Sequence, residues 1–304
     1  MTAQLIHGRP VQQGLVAAAL AKTSSAGVLP RVALLSVASD DPMLAINREL
    51  HMRTFAAYGV EGIDVALPAD ATLDALLERI HEANDDQSVH GVMVLMPLPS
   101  RLSIRDILPA IDPRKELEGL HPEHTAGLLP SNRPAPTGVL PLVGEAVILA
   151  LAEYGIPLES RNIVLLTEEP LMRSNPVANV VARCVAPAML PPSSPLAIVP
   201  IDHPQARRLA SAADVLIVSL ERPEVVSAEW VKPGATVIDF NPSLVGFVER
   251  EDGTQAPILR GGIATEDVAS VAGHILPVPG GIGPVMLGVL IRNAALAALA
   301  SRTP

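Results

Sequence analysis

The fold class is decided by residues 31–68, RVALLSVASDDPMLAINRELHMRTFAAYGVEGIDVALP. Aliphatic runs at the two ends of this stretch are typical of buried strands, and residues 42–58 between them have the spacing and length of a helix. A second helix is predicted over residues 72–84, and another buried strand over residues 89–96. Because parallel strands need crossover connections, this alternation predicts a βαβαβ unit with a parallel sheet.

A second alternating set of elements follows a helix predicted over residues 137–154. Its predicted strands are at residues 162–167, 195–200, 214–220, 236–240 and 274–278. The two sets predict an α/β protein of two domains, each a mainly parallel sheet with flanking helices. We expect residues 1–140 and 278–304 to form the first domain, which the C-terminal helix completes, and residues 141–277 to form the second.

Composition limits the class of protein. The chain has 304 residues, 49% of them hydrophobic, which is enough for two globular domains. Only 2% of the residues are aromatic and the formal net charge is -10, so no nucleic-acid partner is expected. The single cysteine, Cys184, excludes an internal disulfide and a multi-cysteine metal site. The N-terminal residues lack a secretory pattern, so we expect a cytoplasmic protein with no membrane partner.

The first strand-to-helix turn of the second set is unusual for a dinucleotide site. Doubly wound sheets bind dinucleotide phosphates on a glycine-rich turn, because glycine lets the backbone approach the phosphate. Here the turn is TEEPLMRSNP (167–176), and no glycine occurs from Ile156 to Pro233. Glu168 and Glu169 would place negative charge beside a phosphate. Ordinary NAD(P) binding is therefore predicted to be lost or never present.

Five segments together resemble one enzyme family. They are GVMVLMPLP (91–99), KELEGLHP (115–122), ADVLIVSLERPE (213–224), GATVIDF (234–240) and PVPGGIGPVMLGVLIRNA (277–294). In order and spacing, the chain resembles the bifunctional methylenetetrahydrofolate dehydrogenase/cyclohydrolase family from residue 6 to the last helix. The resemblance implies a folate-binding first domain, a Rossmann-like NADP-binding second domain, a cleft between the two, and a homodimer. It also implies that the loop at 277–284 lines this cleft.

The resemblance assigns a site to particular residues. His51 and Glu118 are the catalytic positions, because they match the family's Lys and its pterin-binding Asp. The substrate-binding positions are Asn47, Leu95, Pro97, Leu98, Pro279, Gly280 and Gly281. Asn47 and His51 replace the family's Tyr and Lys, and their spacing of four keeps them on one helix face. Leu95 replaces a Gln, whereas Glu118 keeps a carboxylate one methylene further out.

These assignments have alternatives. His51 is either a replacement base, since imidazole titrates near pH 6.5, or a polar residue on a half-exposed helix. Glu118, His121, His124 and His51 are ligand types that zinc uses, but their spacing is not specific, and no metal is assigned. The loop at 277–284 either holds a flat ligand against main-chain atoms or only links a strand to a helix.

Three functions are consistent with these residues. The first is a divergent folate-binding member of the family with altered or lost NADP-dependent chemistry, because the folate-side acid and loop are kept while the nucleotide turn is changed. The second is a non-catalytic partner of an active relative, and the third is the ordinary bifunctional enzyme. Enzyme activity is left open, a folate derivative is the expected ligand, and no cofactor is assigned, since only the resemblance implies NADP.

The second domain has two interpretations for three arginines. They either provide a site for another anion or are solvated helix charges: Arg173, Arg207 and Arg208.

Overall fold

A computed structural model describes residues 2–127, 139–168, 191 and 193–302 of the chain. The chain divides into two compact units, which are named here by their sheets. The six-stranded unit consists of Met1–Val11 and Ala146–Met286, and the three-stranded unit of Gln12–Glu145 and Leu287–Pro304.

Strands and helices alternate along most of the described chain. The strands are β1 (Gln4–Leu5), β2 (Arg31–Val37), β3 (Glu61–Leu67), β4 (Gly91–Val94), β5 (Ile163–Thr167), β6 (Leu196–Pro200), β7 (Val215–Ser219), β8 (Thr236–Asp239), β9 (Ser243–Glu249), β10 (Gln255–Arg260) and β11 (His274–Leu276). The α-helices are α1 (Arg9–Ala26), α2 (Pro42–Ala57), α3 (Leu73–Asp85), α4 (Ile104–Ile107), α5 (Pro122–Gly127), α6 (Leu142–Glu153), α7 (Ala206–Ala210), α8 (Thr265–Val268) and α9 (Ile282–Ala300). Short 3₁₀ helices span Leu108–Ala110 and Ala228–Trp230.

The three-stranded unit is built on a parallel sheet in the order β3-β2-β4. β2 is the central strand and is buried after its first residue, as expected for a strand covered on both faces. Helices α2 and α3 are preceded by the N-cap residues Asp41 and Thr72, whose side chains accept backbone N–H groups of the first turn. A parallel bridge from Val92 to Glu116 brings the segment after α4 alongside β4.

The six-stranded unit has a parallel sheet in the order β1-β11-β8-β7-β5-β6. Leu166, Leu216, Val237 and Ile275, from four neighbouring strands, belong to its buried core. β9 and β10 form a separate antiparallel hairpin. Because β7, β5 and β6 are parallel neighbours, their carboxyl ends meet at one edge of the sheet, where doubly wound folds bind ligands.

The N-terminus belongs to the six-stranded unit because β1 pairs with β11, with Gln4 opposite His274. The structural division therefore differs from the sequence-based bounds at residues 1–11, and also at residues 141–145 and 278–286. A strand of two residues has no hydrophobic period, so the sequence gives no sign of this pairing.

Helix α9 is long and apolar enough to cross a membrane by length and composition, but 56% of its most apolar 18-residue window is buried, which is also typical of a core helix. Asn293 is buried, and its Nδ2 donates to the carbonyl of Leu117 at 2.9 Å. Arg292 donates two hydrogen bonds of 2.7 Å to Glu145. These contacts hold the C-terminal part of α9 in the three-stranded unit.

The predicted fold class is confirmed, because both units are mainly parallel sheets with flanking helices, and every strand predicted from the sequence is present. Helix α1, strand β1 and the β9–β10 hairpin were not predicted. Of the helix predicted over 137–154, the structure describes α6. Cys184, Glu169 and Arg173 lie outside the described residues.

Candidate active site

Leu95, Pro97 and Leu98 follow β4 at the carboxyl edge of the three-stranded sheet. The Leu95 N–H donates to the carbonyl of Leu35 in β2 at 2.8 Å, and the Leu95 side chain is buried. A cis peptide bond joins Met96 to Pro97, and both Pro97 and Leu98 are half-buried. A leucine side chain neither donates nor accepts hydrogen bonds, so position 95 contributes only apolar surface.

His51 lies in the middle of α2 and has a defined tautomer. Its Nδ1 lies 2.7 Å from the backbone carbonyl of Asn47, so Nδ1 carries the proton and donates it. Burial lowers the pKa of His51, and the hydrogen bond to Asn47 offsets only part of this shift. The ring also packs edge-on against Phe55, with centroids 6.2 Å apart. His51 is therefore neutral near pH 7, and its Nε2 is free of a proton and able to accept one.

Glu118 lies in a turn whose next position, 119, accepts only glycine. Gly119 has φ +69, and a Cβ there would be 2.3 Å from the carbonyl oxygen of Leu140. Glu118 is half-buried, and burial, followed by the charge of Glu116, raises its pKa to about 8. The resemblance implied an ionised carboxylate, but without a ligand this group is mostly protonated at neutral pH.

Glu116 is buried, and hydrogen-bond donors surround its carboxylate. It accepts the N–H groups of Glu118 (2.6 Å), Leu120 (2.9 Å) and His121 (3.1 Å), and it contacts Nδ1 of His124 at 2.8 Å. The turn between residues 116 and 124 is thus folded around this carboxylate. Sequence reasoning did not single out Glu116. The Glu-Leu-Glu spacing could have pointed to Glu116, because residues two apart share one side of an extended segment and Glu118 had been singled out.

The histidines of this turn make hydrogen bonds within it. Nδ1 of His121 accepts the N–H of Glu123 at 3.1 Å, and the rings of His121 and His124 are 5.9 Å apart, edge to face. Within the described ranges, no group of three or more His, Cys, Asp or Glu side chains is arranged to hold a metal ion. Nor does any hydrogen bond between described residues join His51 or Leu95 to Glu118. The roles of these three residues therefore stay predictions.

The predicted substrate-binding loop follows β11 in the six-stranded unit, and its two glycines differ. Gly281 is required by the backbone itself, because a Cβ there would be 2.6 Å from the carbonyl carbon of Leu276. Gly280 has φ +101, and among the described residues the only atom within 4 Å of its Cβ position is Nδ1 of His7, at 3.8 Å. Pro279 follows a cis peptide bond. If this loop contacts a ligand, Gly280 is the glycine with open space beside it.

At the carboxyl edge of the six-stranded sheet, Glu168 directly follows β5. Its Oε1 accepts the N–H groups of Glu221 (2.9 Å) and Arg222 (3.0 Å), and its Oε2 accepts Nε of Arg222 (2.8 Å). Arg222 also reaches Asp202, which follows β6, at 3.2 Å. A carboxylate of the chain thus takes up anion-binding donors at this edge, and these residues do not fit a cofactor phosphate as they stand.

Arg207 and Arg208, which the sequence offered as alternative anion ligands, lie on α7. Nη1 of Arg207 donates to Glu229 at 3.0 Å, and Nε of Arg208 donates to Gln205 at 2.6 Å. Both contacts are exposed, which favours the interpretation of solvated helix charges.

Comparison with known families identifies two matching models. The model described as tetrahydrofolate dehydrogenase/cyclohydrolase, catalytic domain, matches residues 6–118. The model described as tetrahydrofolate dehydrogenase/cyclohydrolase, NAD(P)-binding domain, matches residues 141–302. Both lie in the order that the sequence predicted.

Similar proteins extend the match to the full chain. Bifunctional protein FolD of Bradyrhizobium sp. (strain BTAi1) is 34% identical over 307 residues, covering 99% of this chain and 97% of that protein. The protein of the same name from Acidiphilium cryptum (strain JF-5) is also 34% identical, covering 99% and 100%.

Solved structures share the fold. The bifunctional enzyme FolD of Campylobacter jejuni superposes with a TM-score of 0.79 at 26% identity, covering 98% of this chain and 99% of that one. FolD of Trypanosoma brucei, complexed with NADP cofactor and inhibitor, has a TM-score of 0.84 at 24% identity, covering 100% of both chains.

Proposed function

Because this chain belongs to the tetrahydrofolate dehydrogenase/cyclohydrolase family, we propose that its three-stranded unit binds a reduced folate through Glu118. The observation that carries the proposal is the Glu118 turn, in which Gly119 and the Glu116 carboxylate fix the backbone around a carboxyl group with a pKa of about 8. The amidine edge of a pterin presents paired N–H donors to a carboxylate. Such bidentate pairs are stronger where water is partly excluded.

In this proposal His51 moves the proton during hydrolysis of the one-carbon bridge. Water that adds to a 5,10-methenyl carbon must lose a proton, and a neutral imidazole is a suitable acceptor near pH 7. The tautomer of His51 supports this role. Its Nδ1–H donates to the carbonyl of Asn47, so Nε2 is the atom that can accept a proton. The buried Leu95 side chain cannot hydrogen-bond to His51 or to a ligand, which we take as the reason that the chemistry differs from the family pattern.

The NADP-dependent half is the part that we propose is altered or lost. NADP is implied by the NAD(P)-binding family model over residues 141–302. Two observations argue against ordinary NADP binding. The sequence has no glycine from Ile156 to Pro233, and the Glu168 carboxylate accepts backbone N–H groups at the sheet edge.

The ordinary bifunctional enzyme is the second candidate. It is favoured by the 34% identity to bifunctional proteins over nearly the full chain. The two candidates differ in one measurable property, which is reduction of NADP by 5,10-methylenetetrahydrofolate. We also propose that the chain forms a homodimer, as the family resemblance implies.

Calorimetric titration with tetrahydrofolate at pH 8, together with absorbance decay of 5,10-methenyltetrahydrofolate, tests the proposal. Glu118→Gln should weaken folate binding by about 10- to 100-fold, because a charge-assisted bidentate pair is lost. His51→Asn should slow hydrolysis by about 100-fold or more with little change in Kd, because a proton acceptor is removed.

The controls are Glu123→Gln, an exposed acid close to Glu118, and His81→Asn, an exposed histidine on α3; neither should change binding or rate. No response to tetrahydrofolate would reject the proposal. Folate binding without hydrolysis would favour the non-catalytic partner, and NADP reduction would favour the ordinary enzyme.

A further inference from the structure

The carboxyl edge of the six-stranded sheet contains a small cluster of charges that the folate proposal does not use. Glu168 follows β5 directly, Asp202 comes after β6, and Arg222 after β7. The three strands are parallel neighbours in the order β7-β5-β6, so the segments after them converge. In doubly wound sheets this edge holds the phosphates of a dinucleotide, which are bound by backbone N–H groups.

The hydrogen bonds of Glu168 are those that a phosphate oxygen would make. One carboxylate oxygen accepts two consecutive backbone N–H groups, from Glu221 at 2.9 Å and from Arg222 at 3.0 Å. The other oxygen accepts Nε of Arg222 at 2.8 Å. Paired backbone amides beside a guanidinium are a typical anion site, and here the anion is a side chain of the protein itself.

The charge balance of the cluster also disfavours an added anion. Arg222 is shared by Glu168 and by Asp202, whose Oδ2 lies 3.2 Å from Nη2. Two carboxylates therefore surround one guanidinium, and the cluster has a formal charge of minus one. A phosphate entering from solvent would have to displace Glu168, separate an ion pair and remain next to the released carboxylate.

We propose that the Glu168 side chain occupies an anion site formed by the Glu221 and Arg222 amides, and thereby prevents this unit from binding phosphate-bearing dinucleotides. Glu168 is thus a specificity-determining residue that acts by exclusion. The inference rests on the proposed loss of NADP binding and gives it a cause, but it does not rest on folate binding, which concerns the other unit and a different ligand.

Pyrophosphate is the simplest probe of this site, because it needs only the amides and the guanidinium. Calorimetric titration should give no measurable binding of pyrophosphate or NADP to the wild-type protein. Glu168→Gln keeps the shape but removes the charge, and Glu168→Gly empties the site. Both variants should bind pyrophosphate measurably, with affinities at least about tenfold above the detection limit that the wild type does not reach, and glycine should give the larger gain.

Glu229→Gln is the matched control. Glu229 lies in the same unit and forms an exposed ion pair with Arg207, so its substitution removes the same charge at the surface. Pyrophosphate binding should not change in this variant. Equal gains in Glu168→Gln and Glu229→Gln would overturn the proposal, because net charge alone would then explain them.

Micromolar binding of NADP to the wild-type protein, with no gain in Glu168→Gln, would also overturn it. So would two Glu168 variants that bind pyrophosphate no more tightly than the wild type. The near-isosteric glutamine variant keeps the test decisive if the glycine variant fails to fold. A folate titration of the same variants should match the wild type, which separates this outcome from failure of the folate proposal.

Discussion

At the scale of single residues, two acids separated by one leucine have opposite environments. The Glu116 carboxylate accepts three backbone N–H groups and contacts Nδ1 of His124. No donor among the described residues reaches the carboxyl group of Glu118, and burial raises its pKa to about 8. The first acid therefore holds the turn, and the second is the acid to which the proposed function assigns the pterin.

The raised pKa of Glu118 predicts a pH dependence of folate binding. Below pH 8 the carboxyl group is mostly protonated, whereas the pterin edge needs an ionised acceptor, so binding must release a proton. The Kd for tetrahydrofolate should fall about tenfold per pH unit from pH 6 to about pH 8 and then level off. Calorimetry in buffers of different ionisation enthalpy measures both the Kd and the proton release.

Glu118→Gln provides the control, because glutamine does not titrate and should remove the pH dependence. Equal Kd values for the wild-type protein at pH 6 and pH 8 would contradict the assignment of Glu118 to the pterin.

Sequence reasoning proposed Glu118 for one candidate site and placed Glu168 beside the other, but it did not find the partners of either residue. Glu118 was singled out, yet its protonation depends on burial and on Glu116, which the sequence pattern does not report. Glu168 was expected to repel a phosphate, but its pairing with Arg222 joins residues 54 positions apart. Such contacts depend on the strand order β7-β5-β6, which a single sequence does not provide.

At the scale of elements, buried parallel strands were predictable because they are continuous aliphatic runs between helical segments. The β9–β10 hairpin was missed because its strands contain Gly246 and Pro257 and do not alternate regularly. The signal that would have found it is Asp252-Gly253, a pair typical of tight hairpin turns; Gly253 has φ +79.

The end of β8 provides a prediction about packing. Asp239 is buried, and its carboxylate accepts the N–H groups of Gly262 at 2.9 Å and Ile263 at 3.4 Å. A Cβ at Gly261 would be 1.7 Å from Oδ2 of Asp239. Gly261→Ala should therefore lower the free energy of unfolding by about 2–4 kcal/mol, because Asp239 must move and lose these hydrogen bonds. Urea denaturation measures this change.

Gly14→Ala is the control for this substitution. Gly14 is exposed within α1, and no atom of the part of the chain that the structure describes lies within 4 Å of its Cβ position. Alanine there should raise the free energy of unfolding by about 0.5–1 kcal/mol, because it favours the helix. Wild-type stability of Gly261→Ala would mean that Asp239 is not held as described.

At the scale of the whole molecule, both units are mainly parallel sheets with flanking helices, but their candidate sites carry different side chains. The three-stranded unit keeps an acid on a fixed turn, as the family resemblance implied for folate. The six-stranded unit keeps the sheet, but a carboxylate takes up anion-binding donors at its carboxyl edge. Full-length similarity therefore predicts the architecture of both units equally well, whereas function has to be argued for each site from its own side chains.

The homodimer is a prediction at the same scale, and the hairpin is the surface that supports it. Val245, Phe247 and Val248 on β9 are 48%, 52% and 51% exposed. In a chain with only three phenylalanines, a half-exposed one on an apolar strand favours an interface.

Light scattering after size exclusion should give twice the chain mass for the wild type, and mainly the single-chain mass for Phe247→Asp, because a charge would be buried without a partner. Leu29→Asp, an equally exposed apolar position, should stay dimeric. A monomeric wild type at micromolar concentration, or a dimeric Phe247→Asp, would reject this surface.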